Sequence, residues 1–109
     1  MDTVVVDGGR LTIDEVVAVA NRRARVVLGP GLADQMAPAR GLVARVVAED
    51  RTVYGITTGF GALASTHIDP AQAARLQVGL VRSHAAGVGS PLPDEVVRAM
   101  LLLRARTLA

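Results

Sequence analysis

The chain holds one tyrosine and one phenylalanine, and both fall in the eight-residue run Tyr54-Gly55-Ile56-Thr57-Thr58-Gly59-Phe60-Gly61. Three glycines let a backbone turn sharply and approach a ligand closely. A phenol can donate or accept a proton, and acts as a general base once its surroundings favour the phenolate over the form that ordinarily persists to about pH 10. The residue types alone allow two readings: a general base on a loop that can approach a ligand closely, or a ring that anchors a glycine-rich turn. Gly59 to Ala64 also fits the G-x-G-x-x-A phosphate-binding pattern, but that pattern should open a helix, and the next helix start, Asp69-Pro70, lies beyond it. A second polar pair, Ser83-His84, stands near the end of an amphipathic stretch, with no acid placed to orient the imidazole as in a triad. His67 reads as a surface residue, and two histidines without a close carboxylate pair make no metal site.

These groups need elements to hold them. The β-branched run Thr3 to Val6, followed by Asp7-Gly8-Gly9, predicts a small amino-terminal hairpin returning through Arg10-Leu11. Thr12 to Glu15 has the form of a capping box, so a helix starts there and runs to about Arg23, with Ile13, Val16, Val17 and Ala20 on one face. Val26 to Leu28 is a brief extended piece, and a second helix spans about Leu32 to Glu49, with a kink or break expected near Pro38. Arg51 to Ile68 has no helical period and reads as a loop. Asp69 and Pro70 are an N-cap and a first-turn proline, opening a third helix whose stripe is Ala73, Leu76, Leu80, Ser83 or His84, and Gly87. A last helix begins at Pro93-Asp94-Glu95. Its four successive apolar residues, Met100 to Leu103, call for neighbours on several sides. It reaches Ala109 in register without a C-cap glycine, which reads as a cut. The fold class is thus mainly α: a small hairpin and about four helices, in one piece over residues 1–109.

Composition bounds what that piece can do. At 109 residues, half of them hydrophobic, this is at most one domain. Its apolar residues are almost all alanine, valine and leucine, so each buried position removes little area from water, and the surplus apolar surface suits another domain or subunit. All twelve basic residues are arginine, giving a net charge of only +2. The one cluster, Arg22, Arg23 and Arg25, has no aromatic platform and reads as the solvated end of a helix, not as a nucleic-acid surface. The absence of cysteine excludes a disulfide framework, a thiolate metal site and a cysteine nucleophile. The longest uncharged stretch, Thr52 to Ile68, is too rich in glycine, serine and threonine for a membrane span, and Met1-Asp2 opens no signal peptide. A cytoplasmic protein is expected.

Tyr54 to Gly61, Leu76 to Gly89 (LQVGLVRSHAAGVG) and Met100 to Ala109 (MLLLRARTLA) together resemble the amino-terminal region of the aromatic amino acid lyase family, in its histidine-acting branch. The resemblance covers nearly the whole chain; its first two motifs are long and specific, and the third is generic. It implies an elimination of ammonia from an amino acid, L-histidine to trans-urocanate in that branch. The family's electrophile is a methylideneimidazolone, formed by cyclisation and dehydration of an internal Ala-Ser-Gly. Tyr54 would take the β-proton, His84 would contact the substrate side chain beside Ser83, and Gly61 would line the pocket. The remainder of the lyase and its subunits are implied as partners, since family members are homotetramers with active sites shared between subunits. No nucleic acid or membrane is implied.

Substrate is read from Ser83-His84. Tyrosine-acting members commonly carry His-Leu at this pair and phenylalanine-acting ones Phe-Leu, whereas a polar pair can hydrogen-bond an imidazole. Related bacterial tyrosine aminomutases also carry Ser-His, so a tyrosine lyase or aminomutase stays open, as does a non-catalytic truncated protein docking on a full-length lyase. Thr57 and Gly79 depart from the pattern, each standing where asparagine is usual. No Ala-Ser-Gly occurs in this sequence, and the family's central helical bundle is missing, so the expectation is a chain inactive alone.

Overall fold

Strand β1, Thr3–Val6, alternates strictly: Val4 and Val6 are buried while Thr3 and Val5 face outward. In this computed structural model, which describes residues 2–109, its partner is not a hairpin return but β2, Arg25–Leu28, paired in parallel with Val4 opposite Val26 and Val6 opposite Leu28. The expected hairpin is therefore corrected. Asp7 does form the turn, its carboxylate accepting from the Gly9 amide at 2.8 Å, but the chain leaves it towards Thr12 and not back along β1. Parallel strands need a crossover, and helix α1, Ile13–Ala20, supplies it.

The capping box forms as read. The Thr12 amide and hydroxyl both donate to the Glu15 carboxylate, at 2.7 and 2.9 Å, and the Glu15 amide donates to the Thr12 hydroxyl. These two hydrogen bonds to the carboxylate, the backbone one foremost, hold the Glu15 carboxyl below its ordinary 4.5. The helix ends earlier than Arg23, because Asn21 caps it and Arg22 turns left-handed at φ 59°. Its inward face is as read at Val16 and Ala20 but adds Val19, whereas Ile13 is 82% exposed and Val17 is exposed as well.

The chain divides into two compact units, Met1–Met36 with Ser90–Ala109, and Ala37–Gly89. The first is built on Val4, Val6, Val19 and Leu102, with Leu11, Val16, Ala24 and Ala109 packed around them. Each such buried Val or Leu contributes about 1.5–3 kcal/mol. Leu102 comes from α4, Asp94–Leu108, which packs on α1. Of the four successive apolar residues there, Leu102 is covered while Met100, Leu101 and Leu103 remain exposed. Arg98 joins the two helices by donating to the last carbonyl of α1, on Ala20, at 2.6 Å; its other arm meets Asp94, which also pairs with Arg22.

Helix α2, Leu32–Ala48, is continuous through Pro38, so no break occurs. The second unit holds the later turns of α2, the long loop, and α3, Ala73–His84, which is entered through a 3₁₀ turn at Pro70–Gln72. Asp69 caps that turn as expected, its carboxylate accepting from the Ala71 amide at 2.7 Å. Within α3, Ala73, Leu76 and Leu80 are half-buried along the predicted stripe, but the helix stops at His84, before Gly87. No helix of the described residues is long and apolar enough to cross a membrane.

Candidate functional site

All four residues singled out for chemistry, Tyr54, Gly61, Ser83 and His84, lie in the second unit. The loop that carries the first two is ordered by its own backbone. Val53 accepts from the amides of Ile56 and Thr57, at 3.1 and 3.0 Å, closing one turn around Tyr54, Gly55 and Ile56. An antiparallel bridge between Thr58 and His67 then fastens the loop across its middle, through Gly59 N–H to Thr66 C=O at 3.0 Å and Ile68 N–H to Thr57 C=O at 2.7 Å. Between these two, Gly61–Leu63 forms a short 3₁₀ turn and not the opening of an α-helix, so the phosphate-binding pattern lacks its structural context.

Tyr54 is 64% exposed, and no hydrogen bond engages its hydroxyl among the described residues. Its ring meets Phe60 edge-on, centroids 6.1 Å apart at 76°, so the two aromatic rings pair with each other at the loop surface. Gly55, at φ +76°, provides the left-handed step directly after the tyrosine. The phenol is thus held by its backbone and one ring contact, with its oxygen open to whatever approaches.

Ser83 and His84 form the last turn of α3. The Ser83 hydroxyl donates to the Leu80 carbonyl at 2.8 Å, and His84 Nδ1 lies 2.9 Å from the same oxygen and 3.1 Å from Ser83 Oγ. A carbonyl can only accept, so this geometry puts the proton of the neutral ring on Nδ1 and leaves Nε2 as an outward acceptor. Tyr54 and His84 are not joined by a hydrogen bond in this unit, and both are exposed. The apolar cleft of the same unit, lined by Val43, Val47, Ile56, Ala73 and Gln77 among others, contains neither.

Two features were not read from residue types. His67 is a surface residue, as read, but it is not without partners: Nε2 is 2.8 Å from the Asp50 carboxylate, and Nδ1 is 3.5 Å from the Thr52 hydroxyl, tying the two ends of the loop. Thr57 and Thr58 are the buried polar side chains of the described residues, at 0% and 1% exposure. Among the described residues no cluster of three His, Cys, Asp or Glu groups can hold a metal.

The family model for aromatic amino acid lyases matches residues 11–109. The chain belongs to that family. Within it, the histidine ammonia-lyase of Symbiobacterium thermophilum is 54% identical over 102 residues, which are 94% of this chain and 20% of that enzyme. Among solved structures, histidine ammonia-lyase from Trypanosoma cruzi is 39% identical with a TM-score of 0.84, over 97% of this chain and 21% of the other. Tyrosine aminomutase from Streptomyces globisporus is 35% identical with the same TM-score of 0.84, over 97% and 20%. The chain spans about a fifth of the length of the curated lyases it matches. Lyases of this family generally use a methylideneimidazolone formed from Ala-Ser-Gly.

Proposed function

We propose that the chain is the amino-terminal region of a cytoplasmic histidine ammonia-lyase, in which Tyr54 removes the β-proton of L-histidine. The product pair is trans-urocanate and ammonia: the β-carbon loses its proton, the carbon–nitrogen bond breaks, and the electron pair forms the new double bond. The observation that carries this reading is an exposed phenol on an ordered glycine-rich loop together with a Ser83-His84 pair whose Nε2 is free to accept. A β C–H is a weak acid, so its base must be held in contact with it and kept from water, which favours a side chain on an element that closes over the substrate.

His84 Nε2 suits the N–H of a substrate imidazole, and an aromatic ring without such a donor would leave it unpaired. Gly61, beside Phe60, leaves open space for a ring at the pocket wall, since an added Cβ would meet nothing within 4 Å. When bound, the methylideneimidazolone supplies the electrophile that acidifies the β-proton. Its Ala-Ser-Gly precursor is not in this sequence, and the outward-facing phenol and imidazole suit a group presented from other parts of a homotetrameric enzyme.

The test is a chimera in which this chain replaces the matching 102 residues of the Symbiobacterium thermophilum enzyme. Histidine-dependent urocanate release is expected, and Tyr54→Phe should lower turnover by about a hundredfold or more, the usual contribution of a general base. An unchanged rate in the Phe variant sinks the assignment of the base. The 109-residue chain alone should form no urocanate, and formation by the purified chain would overturn that part. The likeness to tyrosine aminomutase supports a second reading, in which the chimera converts tyrosine and leaves histidine untouched.

A further inference from the structure

The two amides on either side of Tyr54 both end on buried hydroxyls. Val53 N–H donates to Thr57 Oγ1 at 2.8 Å, and Gly55 N–H donates to Thr58 Oγ1 at 3.2 Å. Each hydroxyl also donates onward, Thr57 to the Arg51 carbonyl and Thr58 to the Gly59 carbonyl at 3.0 Å. A threonine hydroxyl has one proton to give and lone pairs to accept with, so each is used in both senses and no buried polar side-chain atom of the described residues lacks a partner. The threonines are themselves fixed from behind. Thr57 N–H donates to Val53 C=O, Thr57 C=O accepts from Ile68 N–H, and Thr58 pairs with His67 in the bridge.

We propose that Thr57 and Thr58 are positioning residues for Tyr54: a pair of buried hydroxyls that hold the N–H groups of its two neighbours, Val53 and Gly55, and so set where the phenol points. The inference rests on reading Tyr54 as the base. With the Val53 and Gly55 N–H groups held and the Val53 carbonyl accepting from the Ile56 and Thr57 amides, the backbone around Tyr54 is restrained, and Phe60 narrows its side-chain torsions by the edge-on contact. Neither threonine is exposed to solvent, so both act through the backbone and not by touching substrate. A hydroxyl on a β-branched side chain suits this task, because its restricted χ1 adds little freedom to the clamp.

Valine keeps the shape of threonine and removes the hydroxyl; serine keeps the hydroxyl and removes the methyl. Four variants of the full 109-residue chain, Thr57→Val, Thr57→Ser, Thr58→Val and Thr58→Ser, are compared by amide hydrogen exchange and by iodide quenching of tyrosine fluorescence. Tyr54 is the sole tyrosine and tryptophan is absent, so the emission reports this ring alone. Thr57→Val should speed exchange at Val53, and Thr58→Val at Gly55, by about tenfold or more, as befits a donor stripped of its buried partner. Quenching of Tyr54 should change with them. The serine variants should restore both readouts to near the parent values, while the Val4 and Val6 amides of the other unit stay unchanged throughout. Unaltered exchange at Val53 and Gly55 in the valine variants would overturn the proposal. So would serine variants that behave like the valine ones, including the case where both fail to fold. These readouts follow the geometry of Tyr54 and not turnover, so an active Tyr54→Phe chimera would remove the base while leaving the clamp standing.

Discussion

Gly59 is buried in the loop, where a Cβ would stand 2.7 Å from the Leu63 carbonyl oxygen, a distance that Cβ atoms essentially never show. Gly59→Ala must push apart the turn at 61–63, at a cost of about 1–3 kcal/mol. Gly61 is different: it lies at φ +54° in open space, so alanine there pays only the left-handed penalty, about 1–2 kcal/mol. Denaturant unfolding of both variants, followed through Tyr54 emission, should rank Gly59→Ala as the more damaging; equal tolerance would mean that the Gly59–Leu63 approach is not made in solution. Residue types went far at this scale. The confinement of both aromatic rings to one glycine-rich segment marked the loop without any fold. What residue types did not reveal was that Thr57 and Thr58 turn inward, because a threonine in a loop reads equally well as solvated, and its burial depends on which carbonyls the folded backbone brings within reach.

At the level of elements, local chemistry was legible wherever the partner lies within a turn. The Thr12–Glu15 capping box and the Asp69 cap both formed from atoms two or three residues apart. Glu15 makes the first of these testable by pH. Its carboxyl is held below 4.5 by the Thr12 amide and hydroxyl, so the unfolded chain takes up the proton at a higher pH than the folded one. The contribution to stability is therefore complete above about the ordinary value of 4.5 and is lost as pH falls through the lowered folded value. Thermal unfolding from about pH 6 downward should show Glu15→Gln converging on the parent in that acid range, and a constant gap across it would refute the assignment. The hairpin expectation failed for the opposite reason: Asp7-Gly8-Gly9 carries a real turn signal, but the partner of β1 begins at Arg25, on the far side of a helix, and no local pattern announces it. The face of α1 shifted in part for the same reason, since Val19, outside the predicted stripe, packs with β1 and Leu102 from distant parts of the chain.

On the scale of the molecule, burial is uneven. The first unit joins two strands and two helices around Val4, Val6, Val19 and Leu102, whereas α3 of the second has no fully buried residue. Opening free energy follows buried apolar contact, so amides of β1, α1 and α4 should exchange more slowly than those of α3; equal protection would contradict this reading of the core. A half-hydrophobic sequence whose apolar residues are mostly alanine, valine and leucine foreshadowed this thin core and the exposed Met100, Leu101 and Leu103. Class, helix starts, the glycine-rich loop that holds both aromatic rings and the family were all readable along the chain, because each depends on side-chain period, on caps within one turn, or on a contiguous motif. The parallel pairing of β1 with β2, the buried side of each helix and the hydroxyl clamp around Tyr54 were not. Those depend on which distant segments share water-excluded space, and hydrogen-bond and packing partners separated by long stretches of chain leave no mark on the residues between them.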